Sequence, residues 1–441
     1  MRKQVLALSL ALAALGAAGL GWLVRRPAGG PPEGHASLAF AVQAVPAGWL
    51  IHHQDEQFPL RALRWVQVRG EDALVAQLLT QNDEQQVHLF RDGRLQGSWR
   101  IGRPEGLEEG FFRFAELKEA CLLRERDLLL LYTAAGGPSG SGSWLVDLDP
   151  KDGSQRWQMR VDGGHLAVAR ESAEPAVFVW GAAATVLRLA VPDPGRAPHR
   201  TVIEIPADAA NPLDLLPHGG GGLLLAHAKG LSLFRPGKDW IHHPLPSRPP
   251  FPAGTGSCAR LVRGPDASWW QPWPGVLTAL TAEGAPAREV PLPLGGGDGP
   301  ARDARMLRVL GCDRDGSLWF DLAAPILDAP PAPAAPPAEP PTEVAPVAEA
   351  AGPSAEEIEA WTRHLSGGLG RIYRKPSAGG PIHRYDWKDL WKAWPEASGL
   401  PVPTNGAGMR PETGFLVFGA ERRAWWLKLE ALGTGTPLPP G

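Results

Sequence analysis

Cysteine is scarce in this 441-residue sequence, which contains only Cys121, Cys258 and Cys312. An odd and sparse set excludes a disulfide framework, and its spacing does not match a zinc site. Two interpretations stay open: one bridge between Cys258 and Cys312 in an oxidising compartment, or three buried thiols. An excess of charge is also lacking, because the formal net charge is -3. That balance argues against a broad electrostatic footprint for nucleic acid.

Contiguous catalytic motifs are lacking as well. The serines within Gly136–Ser143 fit no Gly-x-Ser-x-Gly frame, and Gly219–Gly222 lacks the Lys-Ser/Thr of a phosphate loop. Each His pair, His52-His53 and His242-His243, points to opposite faces of a strand and cannot jointly chelate a metal. We interpret the two pairs as one position in degenerate repeats. The sequence therefore predicts no cofactor and no metal site, and it identifies no catalytic residue.

Glycine, proline and tryptophan are abundant. The 53 Gly and 47 Pro residues make up more than a fifth of the chain. Both residue types suit turns and disfavour helix interiors, so the composition favours many short strands. The 18 Trp residues, against 3 Tyr, fit a core of packed sheets better than a set of ligand platforms.

The N-terminus combines a short basic start with a long apolar run. Arg2 and Lys3 precede Val5–Val24, twenty uncharged residues in which only Ser9 is polar, and Arg25-Arg26 ends the run. Twenty helical residues span ~30 Å, the thickness of the hydrocarbon core of a bilayer. A signal anchor that spans once is one interpretation. A signal peptide cleaved near Gly16–Ala18 is the other.

The location of the protein follows from this N-terminus. Long domains translocate whatever a few flanking charges are, so we expect the bulk of the chain outside the cytoplasm. The expected location is the inner membrane, as a single-pass protein with a periplasmic body; secretion after signal cleavage is the alternative.

A strand-turn-strand pattern recurs from about Ser37 to Pro325. In Arg94–Ile101, for example, Leu95, Trp99 and Ile101 alternate onto one face after the Asp92-Gly93 turn. Six turn glycines mark the recurrence at intervals of 60, 42, 42, 47 and 32 residues, mostly near the length of a four-stranded propeller blade: Gly93, Gly153, Gly195, Gly237, Gly284 and Gly316. The sequence predicts an all-β fold, a β-propeller of about six to seven four-stranded blades.

Two segments carry a family resemblance. Leu145–Trp157, with the sequence LVDLDPKDGSQRW, resembles the strand-turn-strand-Trp unit of PQQ-like (quinoprotein-type) propeller repeats. Arg314–Trp319 resembles a propeller turn followed by Trp. The resemblance implies a propeller fold and transfers no cofactor site.

A change in composition separates the C-terminal part of the chain. Ten prolines lie between Pro325 and Pro353, and this composition predicts an extended spacer. Ser354–Glu357 reads as a helix start and Tyr385–Ala393 as a second short helix. The sequence predicts these boundaries: 1–26 signal anchor or signal peptide, 27–36 spacer, 37–325 propeller, 326–353 linker, and 354–441 a small α+β region.

That last region has two interpretations. We favour a separate unit, although its final hairpin, Phe415–Phe418 with Ala424–Leu429, would equally complete the last propeller blade.

Two Trp clusters are the candidate partner-binding residues. Trp387, Trp391 and Trp394 share the stripe of one short helix. Trp269, Trp270 and Trp273 form an aromatic cluster that neighbouring prolines should keep off a central strand, so we expect it on a propeller face. In both clusters structural packing is the competing interpretation.

Two functions remain. The first is a non-catalytic, membrane-tethered binding or scaffolding module of the cell envelope, with a protein or glycan partner and no nucleic acid. The second is a propeller enzyme, a hydrolase or quinone-dependent oxidoreductase, whose polar groups meet in the central channel from separate blades. The absence of contiguous catalytic motifs favours the first.

Overall fold

A computed structural model describes the strand-bearing part of the chain. The chain divides into two units, Met1–Ala39 and Phe40–Gly441. Every described residue belongs to the second. The described residues are 40–54, 60–69, 71–80, 85–105, 107, 109–112, 115–123, 125–137, 140–169, 175–181, 184–191, 198–209, 211–246, 259–292, 307–322, 371–386, 409–420 and 422–438. The expected N-terminal membrane helix, the Pro-rich linker and the helix start at Ser354 lie outside them.

Helices are few in this part of the chain. One short α-helix, α1, spans Glu109–Phe112, and single 3-10 turns occur at Ala207–Ala209, Gly219–Gly221, Pro411–Thr413 and Leu429–Leu432. None of the described helices combines the length and apolar character that crossing a bilayer requires.

The described strands form antiparallel modules, which we number along the chain from the sheet that holds the first strand. Module 1 combines the first two described strands with three from the C-terminal part of the chain: β1 Phe40–Val45, β2 Gly48–His53, β27 Met409–Arg410, β28 Phe415–Ala420 and β29 Arg423–Lys428. Module 2 contains β3 Leu60–Arg69, β4 Ala73–Thr80, β5 Gln85–Arg91 and β6 Arg94–Arg100. Module 3 contains β7 Glu116–Leu123, β8 Asp127–Gly137, β9 Gly140–Leu148 and β10 Gln155–Val161.

The remaining modules follow in chain order. Module 4 contains β11 His165–Ala169, β12 Ala176–Trp180, β13 Thr185–Ala190 and β14 His199–Glu204. Module 5 contains β15 Asp214–His218, β16 Gly222–His227, β17 Gly230–Phe234 and β18 Ile241–Pro244. Module 6 contains β19 Arg260–Arg263, β20 Ser268–Trp273, β21 Val276–Leu280 and β22 Pro286–Pro291. Module 7 contains β23 Leu307–Cys312, β24 Leu318–Leu322, β25 Arg371–Lys375, β26 His383–Asp386 and β30 Thr436–Pro437.

Five of the modules are separate sheets, and strands at or next to the inner edges of successive modules contact one another. Modules 2 and 3 share one eight-stranded sheet, because β3 and β7 pair in parallel at Val68–Ala120 and Arg69–Cys121. Further contacts join β7 to β11, β11 to β15, β15 to β19 and β19 to β23. Finally β23 contacts β27, and β28 contacts β3. The arrangement is all-β and propeller-like, which confirms that part of the predicted fold class.

Apolar clusters fill the spaces between consecutive modules. Leu129 and Leu145 of module 3 pack with Leu166 and Val177 of module 4, and all four are fully buried. Strand residues alternate between the two faces of a sheet, so a module flanked on both sides needs apolar residues on both faces. Burying each such side chain contributes roughly 1.5–3 kcal/mol. These clusters are therefore the main force that holds neighbouring modules together.

The C-terminal strands differ from the separate unit that we favoured. β25 pairs with β24 and β26 with β25, so two strands after the Pro-rich segment continue module 7. β29 pairs with β2, and β28 with β29, which completes module 1. The physical reason is burial: Trp425 and Trp426 are at most 1% exposed and pack between modules. Tyr385 and Asp386, expected to begin a helix, end strand β26 instead.

Cys312 forms no disulfide in the structure, which differs from the interpretation with a Cys258–Cys312 bridge. Its Sγ lies 3.6 Å from the carbonyl oxygen of Asp313. Burial, together with the nearby carboxylates of Asp313 and Glu412, raises the pKa of this thiol to about 12. A thiol of this kind is a weak nucleophile at neutral pH. Cys258 lies outside the described residues.

The turn glycines confirm most of the expected recurrence. Gly93, Gly153, Gly237 and Gly284 have φ between 68° and 82°, and each lies between the third and fourth strands of its module. Glycine adopts this left-handed conformation without a steric cost. Gly316 also has a positive φ, 83°, but it connects β23 to β24, the first two strands of module 7. The 32-residue interval is therefore short because Gly284 and Gly316 mark different turns of their modules, not because the repeat itself is short.

Replacement of Gly153 by alanine should destabilise the protein more than the same change at Gly237. Both glycines have almost the same φ, 73° and 72°, so each alanine costs about 1–2 kcal/mol of backbone strain. A β-carbon at Gly153 would also overlap the indole of Trp99 in module 2, whereas no described atom lies within 4 Å of one at Gly237. We expect Gly153→Ala to cost a further ~1–3 kcal/mol.

Urea unfolding of both variants measures this difference. Gly237→Ala is the matched control for the turn conformation alone. Equal losses in the two variants would show that the contact between Trp99 and the Gly153 turn does not contribute to stability.

Candidate functional site

Charged side chains lie on the innermost strands of successive modules. Arg69 ends β3, Glu119 lies within β7, His165 begins β11, Asp214 begins β15 and Arg260 begins β19. The first strands are the ones that contact each other around the propeller-like ring. The inner strands thus bring together polar groups that are far apart in the sequence.

Glu119 is the most extensively bonded of these groups. Its Oε2 accepts hydrogen bonds from Arg69 Nε at 2.6 Å and from the Leu166 backbone N–H at 3.1 Å. Its Oε1 lies 3.2 Å from both Arg69 Nη2 and His165 Nδ1. The Glu119 side chain is only 9% exposed, and a buried carboxylate needs such partners to remain charged.

The ion pair also acts on Arg69. Burial by itself lowers the pKa of the guanidinium, but the adjacent Glu119 carboxylate outweighs it and holds the pKa above its ordinary value. Arg69 belongs to module 2, Glu119 to module 3 and Leu166 to module 4. A single carboxylate therefore links three consecutive modules.

Asp214, two modules further along, also accepts a hydrogen bond from a backbone N–H of the next module. Its Oδ2 accepts from the Leu261 backbone N–H at 2.8 Å, as Glu119 does from Leu166. Its Oδ1 accepts from the Leu215 N–H at 3.0 Å. Burial raises the pKa of Asp214, and the charge of Arg260 and these N–H donors oppose that rise. Leu166 follows His165 and Leu261 follows Arg260, so the two carboxylates lie in equivalent settings.

Two buried glutamines make a neutral version of the same link. Gln77 on β4 accepts from Leu117 N at 2.8 Å and donates to Ala115 O at 3.0 Å. Gln271 on β20 accepts from Val309 N at 2.6 Å and donates to Leu307 O at 2.7 Å.

In each case a second-strand amide bonds two backbone groups, two residues apart, on the next module. These bonds satisfy buried backbone groups between modules. Leaving such a group without a hydrogen bond costs free energy.

A third glutamine links module 2 to residues in and beside module 1. Gln67 of module 2 donates to the carbonyl oxygen of Phe415 at 3.3 Å and also bonds Thr413. Both acceptors are close to the C-terminus, in or beside module 1. The contact between the first and last parts of the chain is therefore polar as well as apolar.

Unlike Glu119, His165 reaches solvent. Its side chain is 53% exposed, and its ring stacks on Trp180 with a centroid distance of 4.5 Å and an interplanar angle of 26°. A carboxylate only accepts hydrogen bonds, so the bond to Glu119 places the proton on Nδ1. Nε2 is then the acceptor nitrogen. Chemically, this carboxylate–histidine pair is suited to accept a hydrogen bond or a proton.

The neighbouring prolines led us to expect the first Trp cluster off a central strand, but the structure places it on one. Trp269, Trp270 and Trp273 belong to β20, an interior strand paired with β19 and β21. A β-bulge between Trp270 and Trp273 accommodates Pro272, which is why proline did not end the strand. Trp270 is 2% exposed in the core between modules 5 and 6. Trp269 and Trp273 are half-buried.

The second cluster, Trp387, Trp391 and Trp394, lies outside the described residues, and its role stays a prediction. The two His pairs occupy matching places: β2 and β18 are each the fourth strand from the inner edge of their modules. This agrees with their interpretation as one repeated position. Among the described residues, no group of three or more His, Cys, Asp or Glu side chains is arranged to hold a metal ion.

Sequence reasoning missed the inner-strand groups. Glu119, His165 and Asp214 belong to three modules, and no contiguous motif joins them. One local signal was available, since Glu119 is followed at once by the apolar residues Ala120–Leu123 in a strand. A carboxylate in such a strand is expected to have a buried partner.

Substitution of Glu119 by glutamine should destabilise the protein far more than substitution of Glu116 on the same strand. Glu119→Gln removes the charge opposite Arg69 and should lower the free energy of unfolding by about 3–5 kcal/mol. Glu116 pairs with Arg64, whose side chain is 53% exposed, so Glu116→Gln should cost less than about 1 kcal/mol. Urea unfolding measures both. Similar losses would contradict a structural role for the buried pair.

Comparisons with known proteins give fold likeness alone. No protein-family model matches the chain, and no curated protein matches it. Among solved structures, the chain is similar to YCF48 from Cyanidioschyzon merolae, with 11% identity over 89% of this chain and 99% of that one and a TM-score of 0.42. It is similar to BamB from Moraxella catarrhalis, with 10% identity over 79% and 86% and a TM-score of 0.37.

A third structure is the WD40 domain of SCAP from fission yeast, with 11% identity over 64% of this chain and 65% of that one and a TM-score of 0.37. The resemblance to PQQ-like repeats stays a prediction, since no family model supports it.

Proposed function

We propose that this chain is a non-catalytic, membrane-tethered β-propeller module that binds or scaffolds a protein or glycan partner in the cell envelope. The observation that carries the proposal is the use of the polar groups on the inner and second strands. Glu119, Asp214, Gln77 and Gln271 all bond a neighbouring module. These groups serve the ring itself, which leaves the loops and outer strands as the surface for a partner.

We further infer that the propeller has seven blades. The seven modules are grouped in six sheets, with modules 2 and 3 in one, and the contacts of the inner strands run from β3 through β23 and return through β27 and β28. Apolar clusters support the same cycle, because modules 7 and 1 share Trp319 and Trp425, and modules 1 and 2 share Trp426 and Phe90. A closed cycle removes the exposed faces that single small sheets would have.

The tether is proposed from the sequence of the N-terminus. Val5–Val24 has the length and apolar character of a membrane span, and the body after it is long, so its translocation does not depend on a few flanking charges. An inner-membrane location with a periplasmic body is the favoured form of the proposal. Cleavage of the same segment and secretion is its alternative.

Fractionation of cells that express the full chain tests the tether. We expect the protein in the inner-membrane fraction, resistant to alkaline extraction and digested by protease only when the periplasm is opened. Removal of residues 1–26 should leave the protein in the cytoplasm. A mature protein that begins after residue 16 by mass spectrometry would favour secretion, and a full-length cytoplasmic protein would contradict both forms.

The second candidate, a propeller enzyme, is favoured by one observation. His165 has its Nδ1 held by Glu119 and its ring half exposed at the inner strands, which is the setting of a general base. No nucleophile or cofactor pocket is assigned to it.

The variant His165→Gln separates the two functions. A glutamine amide can still donate to Glu119, but it cannot take up a proton near neutral pH. A binding module should therefore complement a strain that lacks this chain as well as the natural protein does. Loss of complementation, in a variant that is made in equal amount and unfolds at the same urea concentration, would contradict the binding proposal and support a catalytic His165. Glu119→Gln is the control for loss of stability.

A further inference from the structure

The outer strands of the modules are sheet edges. Some of these edges carry features that prevent pairing with another strand, and others do not. A bare edge invites pairing with another strand, and bulges, prolines and short length prevent it. β10 pairs with its neighbour through a bulge at Gln155–Trp157, and the pairings of β6 and β22 are also irregular. β18 has four residues and ends at Pro244.

β14 lacks these devices. Its six residues pair with β13 without a register shift, and none of them is proline. It lies at the edge of its sheet, with β13 as its neighbour. Val202, at its middle, is 61% exposed, more than Leu213 or Ile241, the other exposed large apolar residues of the described chain. β1 is also a regular edge strand, but its sequence FAVQAV carries no charge.

The direction of the backbone groups of β14 follows from one hydrogen bond. Just beyond the strand, Ile205 N donates to Ala184 O at 2.9 Å and continues the pairing of Thr185 with Glu204. Alternate residues of an antiparallel strand direct their N–H and C=O groups to opposite sides. Ile205 points toward β13, so the even-numbered residues Arg200, Val202 and Glu204 point to the open edge.

We propose that β14 is a homodimer interface, in which two copies of this chain pair antiparallel around a twofold axis at Val202. In this register Val202 lies opposite Val202 of the second copy, and Arg200 lies opposite Glu204 of the second copy. All three pairs use outward-directed backbone groups, so each pair exchanges two N–H···O bonds. The inference does not depend on the proposed function.

Charge complementarity supports a second copy as the occupant. Arg200, Val202 and Glu204 are two residues apart and share one face, so the register places opposite charges on either side of an apolar pair. The strand is therefore complementary to itself, as a twofold interface requires. A strand pair of this length is small beside the roughly 1,200–2,000 Å² that stable interfaces bury, so the dimer should depend on concentration.

Charge exchange across the interface tests the pairing. The full chain, in detergent, is examined by sedimentation velocity over a concentration series. Arg200→Glu places Glu opposite Glu twice, and Glu204→Arg places Arg opposite Arg twice, so each should weaken the dimer about tenfold. The double variant restores opposite charges and should return the dissociation constant to within about threefold of the natural value. Both positions are on an exposed strand, and urea unfolding verifies that the three variants fold.

A covalent test examines the register. Cα atoms of a hydrogen-bonded antiparallel pair are about 5.5 Å apart, within the range that a disulfide spans. Val202→Cys should therefore give a covalent dimer under oxidising conditions. Ile241→Cys, which is 45% exposed on the edge strand β18, is the matched control and should not.

A monomeric natural protein throughout the series, a dimer that the single charge variants leave unchanged, or equal crosslinking of both cysteine variants would each overturn the proposal.

Discussion

The burial of both faces of every small sheet is the constraint on which the rest of this structure depends. Leu129 and Leu130 are neighbours on β8, point to opposite faces and are both fully buried, one facing module 4 and the other module 2. A module at the end of an open row would leave one such face in water. Module 1 avoids this because strands from the N-terminal and C-terminal parts of the described chain pair in it, β2 with β29.

The same constraint explains where the polar groups are. Backbone groups at the contact between two sheets cannot join a strand ladder and cannot reach water, so side chains must satisfy them. Glu119 and Asp214 do so with a charge, and Gln77 and Gln271 with an amide. These bonds cross from module 2 to 3, from 3 to 4, from 5 to 6 and from 6 to 7, so they hold these neighbouring modules together.

Local features of the sequence predicted local features of the fold. Gly93, Gly153, Gly237 and Gly284 have the positive φ that their turns required, and the recurrence of these turns predicted an all-β propeller. Features that depend on distant residues were not predictable in this way. Proline near Trp270 argued against a strand, yet a bulge stabilised by burial between modules accommodates it. Nothing local to Trp425 showed that it would complete a sheet begun by Gly48–His53.

The location of the Pro-rich segment follows from the same logic. Between β24 and β25 the chain leaves module 7 and returns to the adjacent place in the same sheet, Asp321 opposite Ile372. The pairing of β24 with β25 and the burial of these strands determine where β25 joins the sheet. The composition of the segment between them therefore does not need to determine it. Contacts between modules thus occupy the inner strands and the sheet faces, whereas the outer edge strand β14 exposes Val202 to solvent.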